Sequence, residues 1–226
     1  MYFNNLKKKI INNKVTIGII GLGYVGLPLS IKFTQKNISI IGFDIDKKLV
    51  KTVNGGRFHL KTIDKKFHNA RFKKNFIATT DFKNIRNVDV IIICVPTPLT
   101  KDKKPDLSFL KNTIKNIKNY LKPGQIISLE STTYPGTTRD LIGKQIEKNF
   151  VLGKNFFLSF SPERENPGEN SILFSNITKI CGGYTNNCKI IAKNIYEKIL
   201  PVKTVSSLET AEMTKLHENI FRTVNI

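Results

Sequence analysis

Apolar residues along this chain come in short unbroken runs separated by amphipathic stretches, and that alternation predicts its elements. Val15-Thr16-Ile17-Gly18-Ile19-Ile20 is β-branched and ends at glycines, as a buried strand does. From Tyr24 to Lys36 the apolar positions Leu27, Ile31 and Phe33 fall on an inward face, which predicts a helix. A second strand is expected over Ile38 to Asp44, with a helix from Asp46 to about Asn54. Residues 55–75 are basic and irregular, and predict short helical turns at most. Val88 to Val95 (VDVIIICV) is apolar on both faces, the signature of a central parallel strand.

Pro96-Thr97-Pro98 ends that strand, and a polar loop runs on to Pro105. A helix over Leu107 to Leu121 follows, with Asp106 or Ser108 as its start signal. Pro123-Gly124 turns into a strand at Gln125 to Glu130. Beyond it the pattern predicts a helix over Thr137 to Asn149 and strands at Phe156 to Phe160 and Lys179 to Cys181. A helix at Thr185 to Leu200, a strand at Val202 to Val205 and a last helix from about Ser207 to Ile226 complete the series. Alternating strands and helices imply an α/β fold: a doubly wound, Rossmann-like parallel sheet with right-handed crossovers, followed by the start of a long connecting helix. That helix carries no Gly or Pro stop and ends on Val224 and Ile226, so the chain is expected to be a piece of a longer protein.

Charge adds a question. Thirty-seven basic residues against seventeen acidic ones give a net charge of +20 across 226 residues. Arg supplies six of the basic residues, and the rest are Lys scattered singly or in short runs among Asn and Ile. Nucleic-acid recognition concentrates charge on one face and favours the Arg fork, so the scatter points to solvated helix faces and no nucleic-acid partner. Cys94, Cys181 and Cys188 are odd in number and widely spaced, which fits a reduced, cytoplasmic chain. Lys7 to Lys9 ahead of apolar Val15 to Ile31 resembles a secretory leader, but Gly18, Gly21, Gly23, Gly26 and Pro28 interrupt it. No apolar run is long enough for a membrane span, and the three His lack metal-ligand spacing, so neither membrane nor metal is expected.

The chemistry starts at Gly21-Leu22-Gly23-Tyr24-Val25-Gly26. This GxGxxG lies directly after a predicted strand and opens a predicted helix. Its first glycine permits a tight turn, the second lets backbone approach a pyrophosphate, and the third lets helix and strand pack closely. Asp44 ends the second strand eighteen residues after Gly26, where a ribose-binding acid belongs. Such an acid accepts from the ribose hydroxyls and repels a 2′-phosphate, so the expected cofactor is NAD rather than NADP. The chain then divides into a basic leader (1–14), an NAD-binding domain (15–205) and the beginning of a central helix (206–226).

Four further segments carry a resemblance: Val95-Pro96-Thr97-Pro98, Leu129 to Thr138 (LESTTYPGTT), Ser161 to Gly168 (SPERENPG) and Ala211 to Asn219 (AEMTKLHEN). Together with the glycine turn they resemble the UDP-glucose/GDP-mannose dehydrogenase family of nucleotide-sugar 6-dehydrogenases, in its branch acting on N-acetylated sugars. The likeness runs from about residue 14 to 226. It implies NAD-linked oxidation of the C6 alcohol of a UDP-N-acetylhexosamine, UDP-N-acetylglucosamine in the first instance, to the uronic acid for surface polysaccharide. Pro96 joins the glycine turn at the cofactor, and Val25, Asp44, Thr97 and Thr132 fall on cofactor-contact positions. Glu163 falls on the residue assigned to base work, and Thr132 would help it hold a water. Lys215 and Asn219 fall on the pair that stabilises oxygen charge during hydride transfer. Arg164 and Arg222 join Glu163, Lys215 and Asn219 as substrate contacts. The family further implies a homodimer, a cysteine nucleophile in a Gly-rich segment and a second Rossmann-like domain. The last two are not among these 226 residues, so the chain alone is expected to be inactive.

Spacing supports part of this independently. Lys215 and Asn219 stand at i and i+4 and so share one helix face, where a cation and an amide could meet a developing oxyanion. Two alternatives remain open at this point: a two-electron β-hydroxyacid dehydrogenase, which shares a Gly-rich turn and a Lys-x-x-x-Asn helix, and a non-catalytic NAD-binding remnant.

Overall fold

The computed structural model of the chain describes residues 1–58, 60, 63, 69–163 and 177–225. Arg164 and Ile226 lie outside the described residues. The elements run α1 (Tyr2–Ile11), β1 (Thr16–Ile20), α2 (Gly26–Gln35), β2 (Ser39–Phe43), α3 (Lys47–Asn54), α4 (Ala70–Asn75), β3 (Phe76–Thr79), β4 (Val90–Ile93), α5 (Ser108–Ile117) and β5 (Ile126–Leu129). A π-helical turn (Thr138–Gly143) leads into α6 (Lys144–Ile146), then β6 (Phe157–Phe160), β7 (Lys179–Gly183), α7 (Asn186–Tyr196), β8 (Val202–Thr204) and α8 (Leu208–Asn225).

The strands form one sheet in the order β3-β2-β1-β4-β5-β6-β7-β8. Its first six strands are parallel and follow the doubly wound order, reversing direction of travel between β1 and β4. Alternation along the strands supplies both cores. Ile91 and Ile93 face a layer containing Leu110, Ile114 and Ile117 of α5, while Val90 and Ile92 face Leu29 and Phe33 of α2 and Ile191 and Ile195 of α7. A strand buried on both sides must be apolar throughout, which is why VIII stands at the sheet's centre.

Three features depart from the expectation. Residues 2–11 of the expected leader form α1, whose Leu6 and Ile10 are buried in the layer with α7. An edge strand, β3, follows the basic segment and pairs in parallel with β2. The third departure concerns direction: the sheet expected to be parallel contains one antiparallel pair, because β7 runs against β6 with Phe160 opposite Gly182. The chain therefore re-enters the sheet at the edge it left. β8 then runs parallel to β7.

Candidate active site

The reversal between β1 and β4 leaves a crevice at the carboxyl ends of the parallel strands, the place where such sheets bind ligands. A cavity of about 630 Å³ occupies it, within the range of cofactor pockets. Gly21, Gly23, Tyr24 and Val25 form one side, and Asp44 stands at the end of β2. Pro96, Thr97, Thr132 and Glu163 line the other side. Of the residues named from sequence, these nine are brought together.

The three glycines are needed for different reasons. Gly21 has φ +91°, and a Cβ there would sit 2.9 Å from the Cys94 carbonyl oxygen. A Cβ on Gly26 would collide with the Gly21 carbonyl, so α2 can start against the turn only if that position is bare. Gly23 differs, because no protein atom lies within 4 Å of its would-be Cβ. The fold does not demand glycine there; the open space above it belongs to the cavity. A dinucleotide pyrophosphate laid over that backbone at the start of α2 fits this arrangement.

Asp44 is fixed before any ligand arrives. Its Oδ2 accepts from the Leu22 amide at 2.8 Å and its Oδ1 from the Asp46 amide at 3.0 Å. The carboxylate thus ties the glycine turn to the end of β2 and keeps lone pairs for ribose hydroxyls. The cap of α3 falls to Asp46, which accepts from Lys48 and Leu49. Around Asp44 the pocket is apolar, with Phe43, Ile45, Leu49, Phe82 and Phe109 forming a face suited to a base.

At the opposite end the loops after β4 and β5 are cross-linked. Thr97 Oγ1 donates to the Thr132 carbonyl at 2.8 Å, and Ser131 Oγ donates to the Val95 carbonyl at 2.6 Å. These bonds hold Thr132 at the wall. Cys94 is partly exposed and forms part of that wall. Desolvation of its thiol, with Glu130 beside it, pushes the group well above the ordinary range.

Lys215, Asn219 and Arg222 are all on α8 and do not line the cavity. Lys215 is 8% exposed, whereas Asn219 and Arg222 are half-buried. α8 is nevertheless locked to the site. Glu212, one turn before Lys215, accepts from the amides of Gly136 and Thr138 and from Thr138 Oγ1 at 2.6–2.8 Å. Arg139 Nε donates to Glu209 at 2.7 Å. A Cβ on Gly182 would strike the Ser207 carbonyl, so α8 begins in close contact with β7.

Two site residues were not foreseen. Glu130, at the end of β5, and Lys179, at the start of β7, form a buried ion pair with Nζ 2.7 Å from Oε2. Glu130 lines the cavity. Burial raises its carboxyl above the usual range while Lys179 pulls the other way. Nothing local in the sequence marks a strand-end Glu and a strand-start Lys, 49 residues apart, as partners.

NAD would supply a hydride acceptor when bound; the glycine turn and Asp44 are the groups that would hold it, with Thr132 and Glu163 across the same cavity.

Comparison with known proteins shows the family. The profile of the UDP-glucose/GDP-mannose dehydrogenase family, NAD binding domain, matches residues 15–200. The chain is 35% identical over 219 residues to a UDP-N-acetyl-D-glucosamine 6-dehydrogenase of Salmonella typhi, covering 95% of this chain and 51% of that protein. It is 37% identical over 232 residues to a UDP-N-acetyl-D-mannosamine dehydrogenase of Methanococcus aeolicus, covering 100% of this chain and 51% of that one. The solved UDP-N-acetyl-mannosamine dehydrogenase Cap5O of Staphylococcus aureus superposes with a TM-score of 0.84 at 31% identity, over 93% of this chain and 52% of Cap5O. The chain spans about half the length of the curated relatives it matches. A glycine turn opening α2, an Asp44 carboxylate pinned beside it and this match lead to one conclusion: the chain belongs to the UDP-glucose/GDP-mannose dehydrogenase family, and it comprises that family's NAD-binding domain.

Proposed function

We propose that this chain is the cofactor half of an enzyme that oxidises the C6 alcohol of a UDP-N-acetylhexosamine to the uronic acid with NAD. The observation that supports it most directly is one cavity holding a bare Gly23 and a pinned Asp44 at one end and Glu163 with Thr132 at the other. UDP-N-acetylglucosamine is the first substrate to test. Its mannosamine counterpart is a second reading, favoured by the names of the Methanococcus and Staphylococcus relatives. In this reading Glu163 is the base, Thr132 orients its water, and Lys215 and Asn219 meet the sugar oxygen, with Arg164 and Arg222 as further substrate contacts.

α8 is also assigned a subunit contact, so that the complete enzyme is a homodimer. Its Ile220, Phe221 and Val224 are exposed by 51, 64 and 76%, a run of apolar surface that a second subunit would cover.

Calorimetry with NAD on the purified chain is the direct test. Saturable heat is expected with wild type, and Asp44→Ala should reduce affinity by tenfold or more while narrowing the preference over NADP. No heat with NAD would overturn the proposal. With NAD and either UDP-N-acetylhexosamine the chain alone should form no NADH; the missing half supplied in trans should restore turnover.

A further inference from the structure

The inner wall of the cavity holds a charge arrangement that the assignment of Glu163 does not by itself explain. Lys179 is 3% exposed. Its ammonium lies 2.7 Å from Glu130 Oε2, donates to the Pro162 carbonyl at 3.3 Å, and stands 4.0 Å from Glu163 Oε2. It also lies 4.9 Å from the centroid of the Tyr196 ring. One cation thus meets two carboxylates, each of which lines the cavity.

A buried ion pair is a poor way to gain stability, because desolvating both charges consumes most of the Coulombic return. An apolar pair of similar volume would hold the sheet as well. The arrangement makes sense if its effect is exerted on the third member. We propose that Lys179 is a positioning residue for Glu163: with Glu130 as its buried counter-charge, it anchors the Pro162–Glu163 backbone to the end of β5 and holds the Glu163 carboxylate in its charged form at the cavity wall.

Among the described residues, the other groups that face the cluster stay neutral. Cys94 on the strand β4 exit, Cys181 on β7 and Tyr196 on α7 face the cluster. Burial is the first cause of a rise in all three, well above the ordinary range for Cys94 and Tyr196 and up to about 12 for Cys181, so they remain neutral. Burial alone would lower Lys179, but Glu130 and Glu163 outweigh it and its pKa is raised, which keeps the ammonium charged.

The inference rests on Glu163 being the base, and it is tested without cofactor or sugar. The probe is the pH titration of the Glu163 side-chain carboxyl by carbon NMR in the folded chain, assigned by its absence in Glu163→Gln. Lys179→Met should raise the Glu163 midpoint by about one pH unit or more, as loss of an opposite charge at this range does. Glu130→Gln, which keeps an acceptor for Lys179 but removes a competing anion, should lower it. Lys179→Arg should return it towards wild type. A merely structural role would not move the midpoint in opposite directions for the two substitutions. An unmoved midpoint, or shifts of the same sign, overturns the proposal. Should Lys179→Met fail to fold, Glu130→Gln decides alone, and an unmoved or raised midpoint in it is refutation. Opposite shifts in a chain that gives no heat with NAD would sink the functional reading and spare this one; NAD binding with unmoved midpoints would do the reverse.

Discussion

Glu212 Oε1 accepts two hydrogen bonds from Thr138, one from its amide at 2.8 Å and one from its hydroxyl at 2.6 Å. With Oε2 on the Gly136 amide at 2.6 Å, one buried carboxylate closes the start of the π-helical turn and fastens α8 to the loop that carries Thr132. A carboxylate suits this end of a helical turn because free amide groups point out of it. Glu212→Ala should strand those donors and cost about 2–4 kcal/mol in denaturant unfolding, while Glu212→Gln, which keeps one acceptor, should cost less. Equal stability of the alanine variant and wild type would refute the clamp.

The glycine turn separates packing from binding. Gly26→Ala forces a methyl into the Gly21 carbonyl and should lower the melting temperature markedly. Gly23→Ala meets no protein atom within 4 Å and should melt within a few degrees of wild type, yet lose NAD affinity by tenfold or more. Thermal melts with and without NAD check both, since a ligand that binds the folded state raises the melting temperature in proportion to its affinity.

Acid sensitivity has an identifiable contributor in the Arg139–Glu209 pair. The hydrogen bond from Arg139, helped by nearby charge, holds Glu209 down to about 2 from the usual 4.5. A carboxyl depressed by folding adds stability that is fully present above its unfolded pKa and is lost as pH falls through the folded one. The pair should therefore weaken between about pH 4.5 and about pH 2. Both side chains are about a third or more exposed, so Arg139→Ala should cost no more than about 1 kcal/mol at neutral pH, and the difference from wild type should vanish in acid. Urea melts across that range measure it.

Removing residues 1–14 should destabilise the fold rather than trim a tail. Leu6 and Ile10 are buried, Lys9 pairs with Asp89 at 2.7 Å, and Lys198 donates to the Ile11 carbonyl at 2.8 Å. Two large side chains at about 1.5–3 kcal/mol each give an expected loss of about 3–6 kcal/mol. Unchanged unfolding of the shortened chain would show that α1 contributes nothing.

These cases mark how far sequence reading reached. β1, β2, β4 and β5 were legible because strands buried on both faces leave uninterrupted apolar runs. β3 was missed since it is an edge strand of four residues with Ile77 58% exposed, and its apolar run, Phe76-Ile77-Ala78, is short and follows directly on the basic stretch. α1 was hidden by Lys7, Lys8 and Lys9, whose charge suggested a leader while Leu6 and Ile10 kept the i, i+4 spacing of a packed face. The cofactor end of the site could be read because backbone geometry demands glycine and ribose recognition calls for an acid at a set distance. The Glu130–Lys179 pair could not, because charged residues are almost never fully buried unless paired, and the pairing is made by the tertiary fold.

The direction of β7 gives that pairing its setting. Strand exits furnish the binding rim of a parallel sheet, and a residue at a strand's entrance belongs to the far side of the molecule, about 15 Å away for five residues. Inverting one strand brings an entrance to the rim. A charge can then be brought to the rim from either end of a strand, and a mutation at what looks like a remote strand start reaches the cavity wall through Glu130 and Glu163.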